Sequence, residues 1–352
     1  MREPATPPLP DNDGDSVWPA EDWAEGPQLS GDPTALAALL DPLFAVEATP
    51  ELGRSLAFVA VQGGRVVAER YGPGVDPSTT LISWSMAKSV TQAAVGMLVR
   101  DGLLDPDAPA EVPEWQERGD PRRNITVRDL LAMRSGLRFV EDYLDESRSD
   151  CLEMLWGSGA EDVAGYAASR PLEHPVGTVF NYSSGTTNIL SRLVGDVVAG
   201  GIGRGNQQTT ADFLADRILD PLGMRSGTVT FDAAGTWVGS SYLFATARDF
   251  ARFGLWYLRG GRWGSEQLLD PAWIDSARTR CSIDDETGWG YGEHWWVRDD
   301  DLGTFWANGY EGQLTMCVPA LDLVIVRLGK TPSELRPHRE RFVQDVLSCF
   351  GA

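Results

Sequence analysis

Trp84-Ser85-Met86-Ala87-Lys88-Ser89-Val90-Thr91, continued by Gln92-Ala93-Ala94-Val95-Gly96-Met97-Leu98-Val99, is the stretch from which the rest of the chain can be read. Apart from Gly96 it lacks turn formers, is rich in Ala, Met, Val and Leu, and stops at Asp101-Gly102. That is the pattern of a helix closed by a C-terminal glycine. The run is too apolar for a surface helix, so it reads as buried. Yet it holds a lysine. Lys88 and Lys330 are the only two lysines of the chain, and Arg supplies the other 28 basic residues. Arginine keeps its proton in a protein, whereas a buried lysine amine gives its proton up. Ser85 stands one helical turn before Lys88, on the same face and within reach of the amine. Serine alone is a weak nucleophile and needs an adjacent base. This spacing supplies one without a histidine. The start of the helix adds unpaired N–H groups and a positive dipole end, which favour a developing oxyanion and a lowered lysine pKa. The bland alternative is an N-cap serine followed by a snorkelling lysine. The apolar surroundings argue against it.

Working outward, residues 56–61 and 65–71 are β-rich runs around Gly63-Gly64 and predict a hairpin. A short helix is expected over 35–44. Residues 1–29, rich in Pro, Asp, Glu and Gly, read as a flexible or loosely draped N-terminal arm. From about 105 to 285 the chain reads mainly as helices and loops. Two of these helices open with Thr126-Val127-Arg128-Asp129 and Thr246-Ala247-Arg248-Asp249, which resemble capping boxes with Asp in place of Glu. Strands return over 292–298, 303–307, 313–319 and 323–328, and an amphipathic helix covers 333–349. The expected fold class is therefore α+β. One antiparallel sheet is built from the N- and C-terminal segments (30–104 and 286–352), flanked by helices, with a mostly helical insertion at 105–285.

The formal net charge of -21 argues against a nucleic-acid partner, which needs clustered Lys and Arg. No apolar run reaches membrane-spanning length, and Met1-Arg2-Glu3-Pro4 opens no signal-like segment, so a cytoplasmic protein with no membrane partner is the expectation. Cys151, Cys281, Cys317 and Cys349 are scattered, without metal spacing, and read as reduced thiols. His174, His294 and His338 form no triad or zinc pattern, and each reads as a solvated or satisfied structural residue. Gly201-Ile202-Gly203-Arg204-Gly205 follows a helix rather than a strand and reads as a loop. No metal and no cofactor are expected, and the sequence assigns no oligomeric state.

Ser85-Met86-Ala87-Lys88-Ser89-Val90-Thr91 resembles the active-site helix of the serine β-lactamase and penicillin-binding-protein superfamily, in particular its class C-related branch. Leu130-Leu131-Ala132-Met133-Arg134-Ser135-Gly136-Leu137 is similar to the segment these proteins carry before the insertion. Phe180-Asn181-Tyr182-Ser183-Ser184-Gly185 looks like their second box, and Trp306-Ala307-Asn308-Gly309-Tyr310-Glu311-Gly312 like their third. The resemblance implies that Ser85 is acylated and that Lys88 and Tyr182 share the proton transfers. It implies an oxyanion hole from the backbone N–H groups of Ser85 and Tyr310. It also makes Tyr143, Ser184, Asn308 and Gly309 candidate substrate contacts.

Departures narrow the expectation. Ala307 stands where β-lactam enzymes carry Lys or His, and Ser184 where true β-lactamases carry Asn. Both polar handles for a β-lactam are gone, while the acylation machinery is whole. Glu141-Asp142-Tyr143 resembles a substrate-contacting segment of the esterase and 6-aminohexanoate-dimer hydrolase group. The expected activity is cleavage of a small ester or amide, with linear ω-amino-acid amides among the candidates. A β-lactamase, D,D-peptidase or D-aminopeptidase is one alternative. A non-catalytic binding protein on the same fold is another, and the retention of Ser85, Lys88 and Tyr182 weighs against it.

Overall fold

The computed structural model describes residues 7–12, 16–46, 51–145 and 147–352. The expected hairpin is present as β1 (Arg54–Gln62) and β2 (Arg65–Tyr71), joined through Gly63 and Gly64. Both glycines have positive φ, as a two-residue hairpin turn demands. Six strands follow near the C-terminus: β3 (Ser282–Ile283), β4 (Gly290–Tyr291), β5 (Trp296–Val297), β6 (Phe305–Gly309), β7 (Gln313–Val318) and β8 (Leu323–Lys330). They form one antiparallel sheet in the order β2-β1-β8-β7-β6-β5-β4-β3. The first strand thus pairs with the last, with Val59 opposite Val326. The sheet is closed from both ends of the chain.

Period-two alternation assigns each face of β1 to its own core. Phe58 and Ala60 pack with α1 (Pro33–Phe44) and the C-terminal helix, while Ala57, Val59 and Val61 pack into the larger core on the other side. That larger core holds α2 (Ala87–Arg100), α4 (Ser184–Val198) and α5 (Ala247–Leu258), with α3 (Asp150–Trp156) against α4. The C-terminal helix α6 (Arg336–Cys349) lies beside α1. Gly96 of α2 is explained by packing: a Cβ there would stand 2.2 Å from the Trp273 indole nitrogen, which donates to the Gln92 carbonyl at 3.2 Å.

Several expectations need correction. The described part of the N-terminal arm lies against the body instead of hanging free; residues 1–6 and 13–15 lie outside the described residues. Trp23 is buried and its indole donates to the Arg248 carbonyl, while Ala24 and Gly26 make backbone hydrogen bonds with Val66. The arm's low hydrophobicity hid a single anchoring aromatic. The α2 run does not begin as an α-helix: Trp84–Met86 is a 3₁₀ turn, and regular geometry starts at Ala87. Of the two capping boxes, the one at Thr126 is complete. At Thr246 the Asp249 carboxylate turns to Ser226, accepting from both its backbone N–H and its hydroxyl. Among the described residues no helix is long and apolar enough to cross a membrane.

Candidate active site

Trp84 decides where the turn that carries Ser85 points. Its φ of 45° is left-handed, a conformation that costs a bulky residue on the order of 1 kcal/mol. The ring compensates by packing against Trp156, Tyr242 and Tyr310, and its indole donates to Glu311 Oε2 at 3.2 Å. A short sheet formed by Leu81–Ile82, Leu243–Ala245 and Thr228–Val229 fixes the approach to the turn, with Ser83 N donating to the Leu243 carbonyl. Ser85 is left half-buried at the head of α2 and faces a cleft of about 900 Å³.

Lys88 is 1% exposed. Its Nζ lies 2.9 Å from Ser85 Oγ, 2.9 Å from Ser184 Oγ and 3.1 Å from the Ser240 carbonyl. Burial holds the amine pKa below the ordinary lysine value, against an opposing pull from Glu141 and Cys151. Tyr182 places its ring 4.9 Å from the amine and stacks on Trp296 at 5.4 Å. Burial and the Glu141 charge push the Tyr182 phenol up, and its contact with Ser85 opposes them. The structure therefore gathers Ser85, Lys88 and Tyr182 around one point, although they come from the 3₁₀ turn, from α2 and from the segment ahead of α4.

The third segment approaches from the sheet. At Gly309 an added Cβ would stand 2.4 Å from the Ser83 carbonyl, so only glycine lets β6 close on the turn that carries Ser85. Tyr310 follows directly and lines the same cleft as Ser85, the two residues whose N–H groups the resemblance places in an oxyanion hole. Asn308 lines the cleft and accepts from Arg339 at 3.3 Å. Ala307, where the resemblance has a cation, is 2% exposed and packs into the core.

Tyr143 also lines the cleft, with its ring 5.0 Å from that of Tyr310. Ser184 differs from its expected role as a substrate contact. It is 1% exposed, meets only a side pocket of about 100 Å³, and turns its hydroxyl to Lys88 and Glu141. The reason is positional: Ser183 caps α4, and the next residue is drawn inside.

Two groups with no sequence signature complete the site. One is the Ser240 carbonyl, held in place because Ser240 N donates to Asn188 Oδ1 on α4 at 3.1 Å. The other is Glu141. Its Oε1 accepts from Ser184 Oγ at 2.5 Å and from Tyr143 OH at 2.8 Å, and its Oε2 accepts from Ser184 N at 2.7 Å. The Glu141 loop is pinned by the buried carboxylate of Asp150, which accepts from Val140 N at 2.9 Å and pairs with Arg170 at 3.2 Å. His294 is a satisfied structural residue. Its ring meets the Leu131 carbonyl and Thr187, and burial lowers its pKa to about 3.

A sheet closed from both chain ends, with a serine–lysine turn opening into the cleft beside its sixth strand, is the architecture of hydrolases of the β-lactamase fold. The chain belongs to the Beta-lactamase family, whose model matches residues 48–348. It is 27% identical over 293 residues to the 6-aminohexanoate-dimer hydrolase of Paenarthrobacter ureafaciens, covering 78% of this chain and 72% of that protein. A Bacillus anthracis structure assigned as a 6-aminohexanoate-dimer hydrolase superposes with a TM-score of 0.74 at 20% identity, over 97% of this chain and 90% of that one. A family VIII carboxylesterase superposes with a TM-score of 0.68 at 14% identity, over 93% and 98% respectively.

Proposed function

We propose that the protein is a cofactor-free serine hydrolase that cleaves a small ester or amide through an acyl-enzyme on Ser85. The observation that carries this reading is the buried Lys88 amine, 2.9 Å from a cleft-facing serine hydroxyl and held below its usual pKa by burial. In acylation the Ser85 O–H bond breaks, its oxygen bonds the carbonyl carbon, and the proton passes to Lys88. The carbonyl π pair moves onto oxygen, facing the N–H groups of Ser85 and Tyr310. Collapse of the intermediate expels the leaving group, which takes its proton through Tyr182. Water then attacks the ester by the reverse path.

Incubation with a fluorophosphonate, followed by intact-protein and peptide mass spectrometry, tests this. One adduct per chain, on the peptide containing Ser85, is expected. Labelling elsewhere at equal rate, or none at all, would sink the proposal.

Carboxylates outnumber cations in the cleft lining. Asp142, Asp284, Glu286, Glu311 and Glu334 stand against Arg336 and Arg339, and Arg336 is itself paired with Glu286. Such a surface favours a substrate bearing a cationic amine, in keeping with the relative named for a 6-aminohexanoate dimer. An ω-amino ester should show kcat/KM roughly ten-fold above its neutral isostere at low salt, with most of that advantage gone at ~0.5 M NaCl. Equal kcat/KM values at low salt would remove the cationic preference.

A further inference from the structure

The direction of every hydrogen bond around Lys88 is decided one residue away from it. The Ser240 carbonyl, 3.1 Å from the amine, only accepts. The Ser184 hydroxyl, 2.9 Å away, is able to accept or donate, and it holds a single proton. Glu141 Oε1 stands 2.5 Å from that hydroxyl. The carboxylate already receives the Ser184 backbone N–H and the Tyr143 phenol, so both of its oxygens act as acceptors. In each of these bonds Glu141 is the acceptor. Ser184 therefore gives its proton to Glu141 and offers a lone pair to Lys88. A neutral amine has two N–H bonds and one lone pair. The N–H bonds are taken by Ser184 and Ser240, and the lone pair is left facing Ser85.

We infer that Glu141 is a positioning residue: by claiming the Ser184 proton it aims the Lys88 lone pair at the Ser85 hydroxyl. The inference rests on the acyl-enzyme reading above, in which Lys88 takes that proton. Glu141 acts through Ser184, and its loop is fixed for the purpose by the Asp150–Arg170 pair. Deletion would leave Ser184 free to donate into the same lone pair and compete with the nucleophile.

The titratable groups facing Lys88 are Glu141 from its loop, with Tyr143 bonded to it, Cys151 from α3, Tyr182 from the segment before α4, and His294 behind α2. Glu141 is the leading group that raises the Lys88 pKa. Its charge and its orienting effect thus act on different observables, one on the pH limb and the other on kcat.

The near-isosteric Glu141→Gln separates them. The Ser184 backbone N–H is unable to turn around, so the new amide must present its carbonyl there and its NH2 to the Ser184 and Tyr143 hydroxyls. Ser184 becomes an acceptor from Gln and donates to Lys88. Turnover of a small ester should fall about 100-fold in kcat, with KM within about three-fold. The acid limb of kcat/KM should move to lower pH, because a group that raised the Lys88 pKa is gone. Ser184→Ala removes the bridge and leaves the lone pair free, so its loss should be only about ten-fold.

The decisive variant is Glu141→Gln with Ser184→Ala. Without the misdirected hydroxyl, kcat should rise from the Glu141→Gln level to that of Ser184→Ala. Multiplied losses in the double variant, or wild-type kcat in Glu141→Gln, would overturn the inference. Should Glu141→Gln alone melt early, the double variant still lacks the conflicting hydroxyl and must match Ser184→Ala. Full activity in Ser85→Ala would instead strike the acyl-enzyme reading, leaving a distinct signature of which idea had failed.

Discussion

Ser85→Ala is expected to lower ester turnover by about 10⁵-fold while leaving the melting temperature within about 1 °C of wild type. The size follows from what the substitution removes. With no oxygen at position 85 the acyl-enzyme has no place to form, and only substrate binding and the oxyanion donors remain. The stability expectation follows from what it spares. Ser85 is half-buried on the cleft wall, and its hydroxyl is one of three partners of Lys88. The amine keeps Ser184 and the Ser240 carbonyl, so no buried group is orphaned. Steady-state assays beside a thermal melt decide it. A loss of turnover together with a melting point lower by 10 °C would mean that Ser85 is structural. Retained turnover would place the nucleophile elsewhere.

The parts of this site that were legible in sequence share one property: they depend on neighbours along the chain. Ser85 and Lys88 are one turn apart, and the helix that opens between them is buried from Ala87 to Leu98. The hairpin and the C-terminal meander show β-rich runs punctuated by glycines and aspartates, and Tyr182 sits just ahead of a capped helix. Strand ends were less clear: of the strand read over 292–298 only Trp296–Val297 is β5, and β4 (Gly290–Tyr291) lies wholly ahead of it. His294 takes a left-handed φ of 58° there to reach Leu131.

Other parts had no signature to find. The Ser240 carbonyl is a backbone atom that any residue carries. The Glu141–Ser184 pair spans 43 positions and exists only after α4 docks beside the Glu141 loop. Glu141-Asp142-Tyr143 drew notice for its tyrosine, while the buried bonds belong to its glutamate. Exposure separates the two: Ser184, expected on the cleft wall, is enclosed behind Lys88, and periodicity along a buried helix does not tell which polar residue meets solvent. Trp84 is a third case. Nothing in its neighbours announces a left-handed tryptophan, and the strain is tolerated because three aromatic rings over-determine its place.

Replacing Lys88 by methionine should lower kcat about 10⁴-fold and change how stability depends on pH. Methionine matches the volume of the buried stem but has no lone pair for the Ser85 proton. The stability effect comes from linkage. Burial lowers the folded-state pKa of Lys88 below the ordinary lysine value of 10.5. Between those two pKa values the unfolded chain binds the proton and the folded chain does not, so wild-type stability rises with pH across that window. Above 10.5 the amine is neutral in both states and the cost of burying it vanishes. Below the folded pKa the cost is constant and at its largest. Lys88→Met has no such term. The melting temperature of Lys88→Met minus that of wild type should therefore shrink as pH rises from the folded pKa towards 10.5. Its offset is set separately, because Ser184 and the Ser240 carbonyl lose a donor at every pH, at about 1–3 kcal/mol for each group left unpaired. Paired melts from pH 6 to pH 10 read the slope apart from the offset. A flat difference would mean that the lysine is buried with its charge. Catalysis would then begin from the ammonium form, and Tyr182 would have to take the serine proton.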